Sequence, residues 1–206
     1  ITCHLGSGSS ICAIAQGQSV DTSMGFTPLE GLVMGTRPGD VDPGLLLELL
    51  RRRLYTLEEL DETLHRRSGL LGLSGYSADV RTLLEQAAAG NERCRLALEV
   101  FAYRAKKYVG AYLAVLNGAD ALVFTGGIGE NAWPLRERIC DGLDHLGLEL
   151  DRERNCHVVG AEGEISTPGS PVKIWVIPTN EELLIAREAC LAVLRAEAGP
   201  ATSSHI

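Results

Sequence analysis

The sequence predicts an α/β domain, one sheet with helices packed on its faces. Three observations predict it. Short apolar runs broken by tight-turn residues open the chain. Long stretches with helical apolar spacing follow. Two further buried-type strands, "DALVF" and "VKIWVIP", then alternate with helical stretches. The element order is therefore three strands, helices, strand, helix, strand, helix.

Each element has a local reason. "ITCHLG" is a short, mostly apolar strand ending in a turn. "SSICAIAQGQSVDTS" continues as a second strand, a Gln16-Gly17-Gln18 turn and a third strand, which together make a meander. Glycine and proline punctuate "GFTPLEGLVMGTRPGDVDP", which reads as loop. Asp42-Pro43 opens the helix "GLLLELLRRRL". Thr56, with Glu59 three residues on, forms a capping box for "LEELDETLHRR". "SGLLGLSGYSADV" reads as another loop. Helices follow at "RTLLEQAAAG" and at "ERCRLALEVFAYRAKKYVGAYLAVL", the latter with Leu96, Val100, Tyr103, Tyr108 and Tyr112 near helical spacing and Asn117-Gly118 as its stop. "WPLRERICDGLDHLG" reads as one helix, "CHVV" as a strand candidate, and "NEELLIAREACLAVLRAEA" as the last helix. The tail "GPATSSHI" is expected to be disordered.

Composition narrows the function classes. The chain has 206 residues, 45% of them hydrophobic, and a net charge of -8. An acidic chain without a Lys/Arg cluster beyond Arg51-Arg52-Arg53 carries no footprint for nucleic acid. No apolar run approaches the roughly 18 residues of a membrane helix. The six cysteines are scattered without a CxxC pair, so zinc is not expected and reduced thiols in a cytoplasmic protein are. The chain opens without Met, inside a strand-like run and with no signal-peptide pattern, and is expected to be a fragment of a longer protein.

Two glycine-rich turns carry chemistry. In "HLGSGSS", glycines beside serines can turn backbone N–H groups toward an anion, although a plain hairpin turn fits the same residues. No P-loop lysine is present. In "FTGGIGEN" a strand delivers the chain to the sheet edge, and bare glycines let a planar ligand approach the backbone. Here a strand-to-helix turn is the plain reading. Two such turns on one sheet favour a nucleotide, one holding phosphates and the other adenosine.

With "DTSMGFTPLEGLVMGTRPGDVDP", "SGLLGLSG" and "IPTNEELLIARE", these segments resemble, in order and spacing, the motifs of the acetate kinases. The resemblance runs from residue 1 to about 190. It implies an actin-like ATPase (ribonuclease H-like) domain, with a mixed sheet flanked by helices, matching the second of the family's two domains. Residues 1–181 would be the nucleotide-binding domain. Residues 182–198 would be a helix returning to a first domain absent from this sequence, and 199–206 a disordered tail. The implied reaction is reversible phosphoryl transfer between ATP and acetate, giving ADP and acetyl phosphate with Mg²⁺, in a cytoplasmic homodimer that needs neither nucleic acid nor membrane. Propionate or butyrate kinase, or an adenine-nucleotide module without turnover of its own, are the alternatives.

The same resemblance assigns residues. Arg37 would stabilise the transferring phosphoryl group, and Glu181 would hold Mg²⁺. The segment His4, Leu5, Gly6, Ser7 and Gly8 would face phosphate. Asp79, Val80, Arg81, Gly127, Ile128, Gly129, Glu130 and Asn131 would surround adenosine. Pro28, with Phe26 and Leu29, would line part of the acetate methyl pocket. The chain departs from the family at Ser7, usually Asn, and at Val80, usually Phe, which puts a phosphate contact and a ring contact in question.

Overall fold

The computed structural model describes residues 1–197. The expected tail, 199–206, lies outside them, as does residue 198. The meander forms as expected: β1 (Thr2–Leu5), β2 (Ser9–Ala15) and β3 (Gln18–Thr22) pair antiparallel. Gln16 and Gly17 both take positive φ in the β2–β3 turn, the two-residue geometry that matches strand twist. The sheet continues from β1 to β4 (Ala121–Thr125), β6 (Lys173–Val176) and β5 (Gly163–Glu164), in the order β3-β2-β1-β4-β6-β5. Both β1–β4 and β4–β6 are parallel, with His4 opposite Thr125 and Phe124 opposite Val176. Three neighbouring strands therefore end on one edge, and their following turns lie side by side.

The helices are α1 (Pro43–Arg51), α2 (Leu57–Arg66), α3 (Gly69–Ser74), α4 (Val80–Ala88), α5 (Glu92–Leu116), α6 (Gly126–Asn131), α7 (Trp133–Cys140), α8 (Arg152–His157) and α9 (Glu181–Glu197). Asp42 caps α1, and the Thr56–Glu59 capping box of α2 forms in both directions. Helix α5 is the central support, but its buried stripe is Cys94, Ala97, Leu98, Phe101, Ala102, Ala105, Val109, Tyr112 and Leu113. Of the five residues expected along it, Leu96 and Tyr103 are exposed. Small alanines let the helix approach its neighbours closely, and that outweighs the larger apolar residues on the other face.

Four further expectations change. The loop expected over 68–80 contains α3. The helix expected over 133–147 stops at Cys140, because Gly142 turns at φ 68°. "CHVV" is no strand: Asp151 accepts from the Arg154 amide and starts α8, which takes Cys156 and His157. The glycine-rich turn after β4 is itself the short helix α6.

What holds α6 is a buried cation. Arg136 has no exposed surface. It donates to the Gly129 and Glu130 carbonyls (2.8 and 2.9 Å), the Asn155 Oδ1 and carbonyl (2.8 Å each) and the Val158 carbonyl (2.6 Å). Burial pushes its guanidinium down to about 10, so it stays charged at neutral pH. Arg136→Met would leave several buried acceptors without donors, at about 1–3 kcal/mol for each. We expect a total loss of at least ~3 kcal/mol in urea unfolding, with the wild-type m-value retained.

Candidate functional site

Two clefts lie along the edge where β1, β4 and β6 end. The larger, about 760 Å³, is lined by Gly6, Ser7, Ala78, Asp79, Val80, Arg81, Leu84, Gly127, Ile128, Asn131 and Ala132. The smaller, about 490 Å³, is lined by His4, Gly126, Gly127, Glu130 and the run Thr179–Glu182. Gly127 borders both, and a Cβ there would meet nothing within 4 Å. The first cleft is walled mainly by aliphatic side chains and bare backbone. The second has carboxylates and an imidazole.

Most of the expected site residues converge here. Asp79 caps α4 by accepting from the Arg81 amide (2.8 Å), and it pairs with the exposed Arg81 guanidinium (3.0 Å). That bond holds the Asp79 carboxyl below its ordinary value. Asn131 donates from Nδ2 to the Gly127 carbonyl (2.9 Å), which turns its amide along the cleft wall. In the β1–β2 turn the Gly6 amide donates to the Gly8 carbonyl (3.1 Å) and Ser9 Oγ (3.2 Å). "HLGSGSS" is thus a hairpin turn whose Gly6 N–H is already engaged, and Gly6 and Ser7 are the turn residues that reach the cleft. Leu5 is buried under the sheet edge and supports the turn rather than facing it. Gly129 is likewise buried, on the inner face of α6.

Arg37 is placed by a clamped loop. The Gly31 amide donates to Asp40 Oδ1 (2.8 Å), and the Asp40 amide donates back to the Gly31 carbonyl (3.1 Å). Arg104 (2.6 Å) and Tyr108 (3.0 Å) of α5 donate to the same carboxylate, and burial with this neighbour pushes the Tyr108 phenol up to about 12. Inside the loop, the Leu70 and Leu71 amides of α3 bond the Met34 and Gly35 carbonyls. Gly69 is required there: its φ is 60°, and a Cβ would lie 2.2 Å from the Met34 carbonyl oxygen. Arg37 Nη1 donates to the Pro28 carbonyl (2.9 Å), and a Cβ on Gly8 would lie only 3.0 Å from Arg37 Nη2. Pro28, Arg37 and the glycine turn therefore meet. Phe26 is fully exposed, and Leu29 faces a separate cleft with Pro38, Val41, Leu46 and Leu64.

Sequence reasoning did not assign Ala78, Leu84, Ala132, Thr179, Asn180 or Glu182 to the site, and all six line the two clefts. Ala78 adjoins the expected Asp79, and Thr179 lies within "IPTNEELLIARE", which was the available signal. Leu84 sits one helical turn beyond Val80 on α4. The Asp79 cap yields a pH prediction. A carboxyl held below its ordinary value stabilises the fold above the ordinary carboxylate range and loses that contribution as pH falls through the lowered value. Asp79→Ala should cost about 1 kcal/mol at neutral pH, and its difference from wild type in thermal unfolding should shrink below the carboxylate range.

Against known proteins, the model of the Acetokinase family matches residues 1–187. Acetate kinase of Dictyoglomus thermophilum is 57% identical over 193 residues, 94% of this chain and 48% of the relative. That of Methanosarcina thermophila is 56% identical over 91% of the chain and 46% of the relative. Among solved structures, Porphyromonas gingivalis acetate kinase superposes with a TM-score of 0.89 at 45% identity, covering 93% of this chain and 48% of its own. A propionate kinase from Francisella tularensis does so with a TM-score of 0.84 at 44% identity, covering 91% and 47%. The fold is therefore the mixed α/β fold of these kinases, and the chain spans about half the length of the relatives it matches. On the family match and these identities, the chain belongs to the acetokinase family.

Proposed function

We propose that this chain is the nucleotide-holding half of an acetate kinase, which transfers a phosphoryl group reversibly between ATP and acetate to give ADP and acetyl phosphate. The observation that carries the reading is the pair of clefts sharing Gly127 on one sheet edge. The aliphatic cleft suits a nucleoside: Val80, Leu84 and Ile128 offer apolar contact, and Asp79 and Asn131 offer polar groups at its rim. The second cleft suits a metal-bound phosphate chain. Val80 gives less ring contact than the phenylalanine usual in the family, and Ser7 gives a shorter donor than its asparagine.

Glu181 fits Mg²⁺ by donor chemistry, since that ion prefers oxygen ligands and is usually held by one or two carboxylates together with substrate phosphates. No group of three or more candidate ligands converges among the described residues, which fits a metal that arrives with nucleotide. When bound, Mg²⁺ offsets phosphate charge. Arg37, in its clamped loop, presents a fixed fork of donors to the equatorial oxygens of the transferring group. His4 faces the same cleft as a phosphate contact. The loop through Pro28 borders the acceptor side, and groups from the part of the relatives' length outside this chain complete the acetate pocket.

Three features of this reading concern assembly and location. Helix α9 is exposed along most of its described side chains, including Leu183, Leu184 and Ile185, which fits a return to the first domain. Helix α1 buries none of its residues and exposes Leu45 and Leu47, which fits a homodimer face. The six free thiols fit a cytoplasmic setting. Among the described residues no helix is long and apolar enough to cross a membrane.

Calorimetric titration of the chain with MgADP tests the reading. We expect saturable binding, weakened by Asn131→Ala, and a folded sample that does not bind overturns it. Binding without phosphoryl transfer identifies a module that needs its other half. With that half supplied, Arg37→Lys should lower kcat about 10²–10³-fold. The likeness to a propionate kinase favours a second reading of the acceptor. A small apolar pocket separates the two acids by only ~1–3 kcal/mol, so kcat/KM for acetate against propionate decides it.

A further inference from the structure

Glu130 lines the second cleft, three residues after the Gly127 that both clefts share, and its contacts are unusual for a residue facing a phosphate chain. One oxygen, Oε1, accepts from two backbone amides at once: Gly126 (2.9 Å), the first residue of α6, and Thr179 (3.0 Å), two residues before Glu181. The Thr125 and Thr179 hydroxyls are hydrogen-bonded beside it. Thr125 makes no side-chain cap to α6, so Glu130 reaches back along the helix to satisfy its first amide. A carboxylate is an acceptor only and cannot hydrogen-bond ionised phosphate oxygens. Its charge also opposes theirs. A direct phosphate contact therefore fails on chemistry, whereas the two amides account for its position.

Those amides belong to different functional walls. Helix α6 carries Gly127, Ile128 and Asn131 of the nucleoside cleft, and the Thr179 segment leads into Glu181 of the second cleft. We infer that Glu130 is a positioning residue that ties the nucleoside wall to the Glu181 segment, so that the two ends of one nucleotide are gripped in register. The inference rests on the nucleotide reading above. It gives Glu130 a positioning role in place of the adenosine contact implied by resemblance.

Affinities for adenosine and for MgADP test it in the intact chain, with Glu130→Ala and Glu130→Gln. Of the two segments that Glu130 joins, adenosine needs only α6, whereas MgADP needs both in register. Glu130→Ala should weaken MgADP about tenfold more than adenosine, within the usual range of coupling between sites. Glu130→Gln keeps the acceptor oxygen and should restore the wild-type ratio. Equal losses for the two ligands, or a glutamine variant as weak as alanine, would overturn the inference; the latter points to a charge acting directly on metal or hydroxyl. Amide hydrogen exchange of the wild-type chain gives a readout that needs no variant. Saturating adenosine should slow exchange at Thr179, which adenosine does not touch, and an unchanged Thr179 amide also overturns it. A wild-type chain that binds neither ligand overturns the nucleotide reading itself.

Discussion

The Arg136 guanidinium is the constraint on which the site edge depends. Among the described residues it is buried without a carboxylate partner, and carbonyl and amide oxygens surround it instead. An isolated buried charge is costly, so those oxygens cannot easily move away. Two of them, the Gly129 and Glu130 carbonyls, belong to the last turn of α6, where the helix dipole is negative and favours a cation. Asn155 donates in turn to the Trp133 carbonyl (3.0 Å). One cation thereby joins α6, α7, α8 and the turn after α8.

Helix α6 needs that support. Three of its six residues are glycine, each about 1 kcal/mol worse than alanine in a helix. Its start is also pressed against β1: Gly126 has φ 78°, and a Cβ there would lie 2.7 Å from the Leu5 carbonyl oxygen. A segment this poor in intrinsic propensity is helical because both ends are held, by Glu130 at the first amide and by Arg136 at the last carbonyls. The return is a cleft wall without side-chain bulk at Gly127, beside the ends of three parallel strands.

The loop that carries Arg37 follows the same logic with different chemistry. Residues 31–40 close on themselves through paired Gly31–Asp40 bonds, and Asp40 is moored to α5 by Arg104 and Tyr108. The loop is rigid because its neck and its backbone carbonyls are engaged, which lets a loop carry Arg37 against the Pro28 carbonyl with little freedom. In both places, polar groups set back from the clefts, Arg136 behind α6 and Asp40 at the loop's neck, fix the candidate site residues.

Much of this was legible in the sequence where the signal is local. The capping box at Thr56, the Asp42-Pro43 helix start, the meander and the strands at "ALVF" and "KIWV" depend on neighbours a few residues apart, and they formed as read. The motif order pointed to the acetate kinases, and the family match agrees. Less legible were the elements that distant contacts decide. Helix α8 replaces an expected strand because Asp151 caps it and Asn155 is bound by Arg136, nineteen positions away. The buried face of α5 followed its alanines, because close packing is set by what lies opposite. Glu130 looked like one more residue of a glycine motif. The sequence by itself determined which segments turn, cap and pair, since those choices rest on short-range sterics and hydrogen bonds. Only the tertiary structure decided that Glu130 and Arg136 hold the site together, since their partners become neighbours only when the chain has folded.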